Sequence, residues 1–215
     1  MNRILFFSLA ALAAVVFMGC RKTSVCHIHG TVVGEQYEGK RIFLVPFTGP
    51  ATAETVDSIE IKEGKFEFTP DSMQMYKILL DYHYRLGIQP LIVIAEPGEI
   101  QVTIDSISSA GGTPQNDSLQ AWKELTEKYH REYAAMNRLA AAKKQQNDTV
   151  QETRAKEQAH VLHVAYKNRS RQMAANMEGT VLGNFLKGMF PKTYKRKMPD
   201  GTEVTMDADT NEPVK

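Results

Sequence analysis

The chain has 215 residues, with 26 basic and 25 acidic side chains and a formal net charge of +1 at pH 7. This balance argues against a nucleic-acid partner, because binding to the phosphate backbone needs a clear positive excess. The length suits one domain of ordinary size plus an extension.

Residues 1–19 have the pattern of an export signal. Met1-Asn2-Arg3 gives a short positive start, and residues 4–18 are an uncharged run rich in Leu, Ala, Phe and Val. The run is shorter than the roughly 20 residues of a membrane-spanning helix. It therefore predicts a signal peptide that is removed after residue 19, and a retained signal anchor is the alternative.

The junction Phe17-Met18-Gly19-Cys20 resembles the lipobox of bacterial lipoproteins, with Phe17 at a position where Leu is usual. The resemblance implies that Cys20 is the lipidation site and carries acyl chains such as palmitate. Residues 20–25 would then form a lipidated tether to the bilayer, with about 0.8 kcal/mol of membrane affinity for each buried methylene. We expect a cell-envelope location, at the outer rather than the inner membrane, with the body in the periplasm or at the cell surface.

Removal of residues 1–19 changes the charge and the cysteine inventory of the chain. Arg3 is the only charged residue lost, so 25 basic and 25 acidic side chains remain. With Cys20 lipidated, Cys26 is the one remaining thiol, which excludes an internal disulfide and a CxxC redox pair. We interpret Cys26 as a small buried residue on the first strand.

Residues 26–110 alternate between apolar and polar side chains, the period of two that predicts β-strands. The predicted strands cover residues 26–33, 42–45, 55–61, 65–68, 78–80, 91–94 and 100–104. Lys62-Glu63-Gly64 predicts a hairpin turn between the third and fourth of them, with glycine where a left-handed backbone is needed. Residues 78–80 and 91–94 are apolar throughout, as expected for strands covered on both faces. Seven short strands with turns between them predict a small antiparallel sandwich or barrel.

Several motifs in a fixed order carry a family resemblance. They are Gly30, Val56-Asp57-Ser58, the segment Glu63 to Phe68, Glu96-Pro97-Gly98-Glu99-Ile100, and Gly111-Gly112-Thr113 before Asn116. Over residues 26 to about 122 the chain resembles domain of unknown function 4369, a β-sandwich of envelope lipoproteins in Bacteroidetes. The resemblance implies this fold and location.

The same family suggests a redox activity that we do not carry over. Its sandwich often precedes a helical spacer and a thioredoxin-like disulfide reductase domain. This chain has no CxxC pair and ends at Lys215, and it has Cys26 where the family usually has Phe.

Helical periodicity begins after Gly111. Apolar residues three or four apart form one stripe through Leu119, Trp122, Leu125, Tyr129, Tyr133, Met136 and Ala140, and a second through Ala155, Ala159, Leu162, Tyr166, Met173 and Met177. They predict a helical extension over residues 111–190: a hairpin that turns near residue 146, with capping side chains at residues 116–118, and a short third helix over 181–190.

Residues 191–215 form a basic tail with a small hairpin at Pro199-Asp200-Gly201 and a loose end. The predicted fold class is α+β, with the antiparallel sandwich followed by the helical hairpin and the third helix.

Three constellations are candidate sites. His27 and His29 share one face of a strand, a spacing at which both rings can reach one zinc ion, but no third ligand can be placed, His83 being a remote candidate. The ExxH pairs Glu127/His130 and Glu157/His160 suggest a di-iron bundle, yet Glu127 faces away from the apolar stripe. His163, beside Ala159 and Tyr166, is interpreted as a hydrogen-bonded interfacial histidine.

No catalytic residue, metal or cofactor is predicted. The chain has neither a GxSxG nucleophile elbow nor a phosphate-binding glycine loop. We therefore expect a non-catalytic binding or scaffolding module that recognises an envelope protein or a glycan. Trp122 is expected to pack within the molecule, and residues after about 130 to contact a partner. The alternative is an accessory protein for thiol-disulfide exchange, with a separate thioredoxin-like partner supplying the chemistry.

Overall fold

The computed structural model describes residues 25–80 and 90–214. The predicted signal peptide, Cys20 and most of the tether lie outside the described residues, as does His83. The α+β class predicted from the sequence is confirmed, since strands fill the first half of the described chain and long helices come after them.

Eight strands build a two-layer sandwich. They are β1 (Cys26–Val32), β2 (Arg41–Pro46), β3 (Asp57–Glu60), β4 (Lys65–Phe68), β5 (Met75–Leu79), β6 (Leu91–Ile94), β7 (Gly98–Ile104) and β8 (Ser109–Gly111). One sheet has the order β4-β1-β7-β8 and the other β3-β2-β5-β6. Alternate side chains of each strand point between the sheets, and Ile28, Ile42 and Ile100 there are fully buried.

Gly30 has a packing role in this core. It lies directly opposite Phe66 in the β1–β4 ladder, and a Cβ atom at Gly30 would overlap the Phe66 ring. Phe66 therefore fills the space that a side chain on β1 would need, and glycine is required for close approach rather than for an unusual backbone angle.

Three parts of the predicted sandwich need correction. β1 pairs with β7 in parallel over seven residues, so the first sheet is mixed rather than wholly antiparallel. The turn at Lys62–Lys65 forms, with Glu63 and Gly64 at positive φ, but β3 pairs with β2 whereas β4 pairs with β1. The turn thus carries the chain from one sheet to the other and does not close a hairpin. β8, which was not predicted from the sequence, is an eighth strand just before the helical extension.

Three helices come next: α1 (Pro114–Gln145), α2 (Thr149–Asn176) and α3 (Val181–Met189). The predicted turn near residue 146 is confirmed. Asn147 takes a left-handed conformation there, and the Asp148 carboxylate accepts a hydrogen bond of 3.1 Å from the Gln151 amide to cap α2. None of the described helices is long and apolar enough to cross a bilayer.

The tail forms the predicted small hairpin, β9 (Thr193–Lys197) with β10 (Glu203–Asp207). The expectation of a loose end is wrong for most of the segment after β10. Asp209 forms ion pairs with Lys167 and Arg171 of α2, and Met206 bridges to Pro213. The tail is therefore fastened along α2.

Candidate functional site

The helices cover the outer face of the second sheet and form a second core there. Its buried members are Met75 and Ile94 from the sheet, Leu119 and Trp122 from α1, and Leu182 and Leu186 from α3. This packing explains why β6 is apolar on both faces, as the sequence predicted.

Trp122 is the central aromatic residue of this second core. Its side chain is 7% exposed, and its Nε1 donates a hydrogen bond of 3.2 Å to the Ser170 hydroxyl of α2. The rings of Phe185 and Phe190 meet it edge-on, with centroids at 5.9 and 6.3 Å. Trp122 thus packs within the molecule, as expected, and joins α1, α2 and α3.

A buried polar group fastens the helices to the sandwich. Glu96, which comes shortly after β6, accepts hydrogen bonds from the Gln115 backbone amide at 2.7 Å and from the Gln115 side-chain amide at 3.0 Å. The Gln115 side-chain oxygen in turn accepts from the Leu182 amide at 3.0 Å. Because the first amides of a helix have no partner within it, the Glu96 carboxylate both satisfies them and opposes the positive end of the helix dipole. One carboxylate therefore connects the sandwich, α1 and α3.

Asn116 completes this connection in a different way from the one predicted. The sequence indicated a capping side chain, but its carbonyl oxygen accepts from the Ile94 amide at 2.9 Å and its amide donates to the Ile94 carbonyl at 2.7 Å. Asn116 is 1% exposed. Its side-chain amide pairs with the backbone of Ile94, at the end of β6, as the backbone of a neighbouring strand would. Sequence reasoning missed Glu96 and Asn116 as a pair, because they lie far apart in the chain and each resembles an ordinary turn or cap.

Beyond this attachment, α1 and α2 extend as a paired projection, here called the arm and defined as residues 126–169. From residue 126 to the end of α1 the arm is about 30 Å long at 1.5 Å per residue. Its buried seam contains Ala140, Ala155, Ala159 and Tyr166, and the small side chains let the two helices approach closely.

An aromatic group stiffens the base of the arm. The rings of Tyr129 and Tyr166 stack at 4.2 Å with an interplanar angle of 2°. The Tyr129 hydroxyl lies 2.9 Å from His163 Nδ1, which confirms the predicted hydrogen-bonded histidine between the helices. Burial and then the nearby Lys167 charge lower the pKa of His163, so the neutral ring can accept a hydrogen bond from the Tyr129 hydroxyl.

The arm carries exposed aliphatic side chains from its tip to the level of this aromatic group. Val150 is 74% exposed and Val161 65%, and Leu139 and Val164 are exposed as well. A shallow groove of about 530 Å³ lies between Met136, Val161 and Leu162, with Arg154, Glu157 and Gln158 at its edge. This apolar surface with a charged edge has the composition of a protein-contact site.

His27 and His29 lie on the outer face of the first sheet, as the sequence predicted. His29 Nε2 donates a hydrogen bond of 2.6 Å to the Glu99 carboxylate, and the two imidazole rings stack at 6.1 Å. Glu67 Oε1 lies 3.9 Å from His27 Nδ1 and 3.8 Å from His29 Nδ1. In residues 25–80 and 90–214, however, no group of three or more His, Cys, Asp or Glu side chains could hold a metal ion. His27 and His29 are thus partly buried side chains that face the glutamates of the two neighbouring strands.

The remaining candidate residues do not converge. Both ExxH pairs lie at the surface, so none of these four side chains points into a shared interior. Cys26 is buried between the sheets, as predicted, and burial raises the pKa of its thiol. A buried thiol with a raised pKa has little reactive thiolate at neutral pH.

The comparisons with known proteins agree with the sandwich. The family model described as Domain of unknown function (DUF4369) matches residues 26–119, which confirms the resemblance inferred from the motifs of this segment. The match extends past the last strand into the first turns of α1 and includes Gln115, Asn116 and Leu119. No curated protein and no solved structure gives a match to the chain.

Proposed function

We propose that this protein is an envelope lipoprotein, anchored to a membrane through Cys20, that acts as a non-catalytic docking module for another envelope protein. The sandwich and the second core provide a rigid base, and the arm presents the docking surface. The single observation that carries the proposal is the exposed aliphatic surface along the arm, around Val150 and Val161.

Large aliphatic side chains are exposed along the arm, in contrast to the apolar residues next to its base. At the base, Trp122 and Leu119 are buried against α3 and the sheet. Further out, the seam thins to alanines and the aliphatic side chains turn to solvent. Apolar side chains scattered singly on a surface are ordinary, but several on one projecting element favour an interaction surface. These side chains are exposed and therefore accessible to a partner.

The anchoring half of the proposal rests on residues 1–20. Metabolic labelling with palmitate is expected to mark the wild-type chain and to leave Cys20→Ala unlabelled and unprocessed. A Cys20→Ala chain that is still acylated and cleaved normally would contradict the assignment of Cys20.

The docking half can be tested by photo-crosslinking in the native envelope. A photo-reactive amino acid at Val150, on the arm, is compared with the same amino acid at Ile107 in the sandwich, because both positions are 74% exposed. We expect one discrete adduct from position 150 and none from position 107, and we expect the additional change Val161→Glu to abolish it. Equal labelling from both positions, or no adduct from the arm, would show that the arm is not the docking surface.

The accessory role in thiol-disulfide exchange has less support. Cys26 is the only thiol of the body after Cys20, and it is buried with a raised pKa. Any redox chemistry would therefore have to come entirely from the partner.

A further inference from the structure

The helix α2 carries a second row of contact residues besides its buried seam. We call these residues the α2 row: Val150, Arg154, Glu157, Val161 and Val164. All five are exposed, and they are spaced four, three, four and three residues apart, like the contact positions of a coiled coil. At about 100° per residue, the α2 row lies on the side of the helix nearly opposite the seam that packs on α1. This stripe is therefore open to a further helix.

The α2 row is symmetric about its middle. Val150 precedes Arg154 by four residues, and Val161 follows Glu157 by four. If two α2 helices lie antiparallel, Val150 of each copy meets Val161 of the other. In the same register, Arg154 of each copy meets Glu157 of the other. In parallel helices each charged residue would instead meet its own counterpart, and like charges repel. The charge pattern thus favours a second copy of this chain in the antiparallel orientation.

The two charged residues of the α2 row are available for such contacts. Within the described part of the chain, neither Arg154 nor Glu157 has an ion-pair partner, although Glu152 and Lys156 of the same helix pair with each other. The positions that flank the middle of the row carry no lysine, arginine or carboxylate: Gln151, Thr153, Gln158 and His160. An antiparallel second copy would therefore meet opposite charges in the row and no carboxylate, lysine or arginine at the flanking positions.

The length of the arm suits this register. Asn147, at the tip of one arm, would reach the level of Val164 of the second copy. The overlap from residue 147 to residue 164 is about 26 Å long at 1.5 Å per residue. Lys167 and Arg171, to which Asp209 fastens the tail, come after that level. The contact would thus end before the part of α2 that the tail occupies.

We infer that the arm binds a second copy of this chain, with the two α2 helices antiparallel and joined through the α2 row. The inference rests on the proposed function, because it uses the same surface and names the molecule that docks there. The contact is isologous, so each residue pair occurs twice. A single helix face is a small interface, and we therefore expect a weak dimer in solution. Anchoring both copies to one membrane would raise their effective concentration.

Sedimentation equilibrium of residues 21–215, which contain every described element, measures the dimer without lipidation. We expect a concentration-dependent equilibrium between monomer and dimer. Arg154→Glu places two glutamates opposite each other at both symmetric contacts and should raise the dissociation constant about tenfold or more. The further change Glu157→Arg exchanges the two charges and should restore the dimer. Arg138→Glu, an equal charge reversal at an exposed position of α1, is the control and should have little effect.

Thiol crosslinking between two variants tests the register and direction of the helices. Val150 and Val161 are eleven positions apart, so the two copies of residue 150 would lie about 16 Å apart along the helix axes. A shorter bismaleimide should join Val150→Cys to Val161→Cys in a mixture, and neither variant to itself. Val150→Cys mixed with Ile107→Cys controls for collisions, because positions 150 and 107 are equally exposed. Cys26 is buried and leaves the introduced thiols as the reactive ones.

Rescue by the charge exchange, with crosslinking only in the Val150→Cys and Val161→Cys mixture, supports the inference. A monomer at every concentration, equal loss in Arg138→Glu, absence of rescue, or crosslinking of Val150→Cys to itself would overturn it. Failure of the proposed function has a different signature. If the body is monomeric but position 150 still gives an adduct with a different envelope protein, the docking role stands and the second copy is excluded.

Discussion

Asn116 makes the clearest single-residue contribution to the attachment of the helices. Its side chain pairs with both the amide and the carbonyl of Ile94, and all three groups are buried. Asn116→Ala would leave a buried backbone donor and a buried acceptor without partners, at a cost of roughly 1–3 kcal/mol for each unsatisfied group. We expect the free energy of unfolding, measured by urea denaturation, to fall by about 3 kcal/mol.

Asn137→Ala is the matched control for Asn116→Ala. Asn137 lies on an exposed position of the same helix, so its replacement should change the stability by about 0.5 kcal/mol or less. Similar losses in both variants would show that the Ile94 pairing is not what stabilises this region.

Asp209 is expected to make the docking of the tail depend on pH. Hydrogen bonds from Arg171 and Lys167 lower its pKa to about 2, against about 3.9 in an unfolded chain. Because the folded-state pKa is the lower one, the stabilisation is fully present above about pH 5 and is lost as the pH falls from about 4 to 2. Asp209 is half exposed, so the gain is about 1 kcal/mol at most.

The comparison of wild type with Asp209→Asn measures this effect. The variant should be less stable at pH 7, and the difference in urea midpoint should shrink at pH 3. A difference that stays constant over this range would mean that the carboxylate charge does not hold the tail.

For single residues, the sequence predicted the direction of side chains on a strand but not their neighbours on other strands. The alternation of β1 placed His27 and His29 on one face and Cys26 in the core, because side-chain direction follows from local backbone geometry. Their neighbours Glu67 and Glu99 could not be found in this way. They reach the histidines only because β4 and β7 flank β1, and strand order is set by packing of the whole sandwich.

At the scale of elements, Trp122 is expected to determine whether the three helices pack together. Trp122→Ala removes a buried indole that contacts Phe185, Phe190 and Ser170, and should cost about 3–5 kcal/mol. Trp122→Phe keeps an aromatic ring, loses only the hydrogen bond and part of the volume, and should cost clearly less. A thermal melt in which Trp122→Ala equals wild type would mean that the helices do not depend on the second core.

Helices were predicted more completely than sheets, for a physical reason. An apolar stripe and a polar break are local features, and they gave α1, α2 and the turn between them. The turn at Lys62–Lys65 was equally local and also formed. Which sheet each flanking strand enters depends on residues far along the chain, so β3 and β4 were wrongly paired and the parallel β1–β7 contact was missed.

At the scale of the whole molecule, the sequence suggested a sandwich over 26–110 and a helical extension over 111–190, with Trp122 packed within the molecule. The packing joins the two, since the second core takes residues from β5, β6, α1 and α3, and Glu96 binds the start of α1. The family match that continues to residue 119 includes the part of α1 that lies in this joint. We therefore predict one cooperative unit with a projecting arm, rather than two domains on a linker.

Urea unfolding of residues 21–215, monitored by two local probes at once, tests this claim most directly. Trp122, the only tryptophan, reports on the second core through its fluorescence, and Cys26, the only thiol of these residues, reports on the sandwich core through its reaction with a thiol reagent. We predict that the two transitions have the same midpoint and slope, as expected for two-state unfolding. A Trp122 transition that is complete while Cys26 stays protected would contradict this prediction and make the helices an independent module.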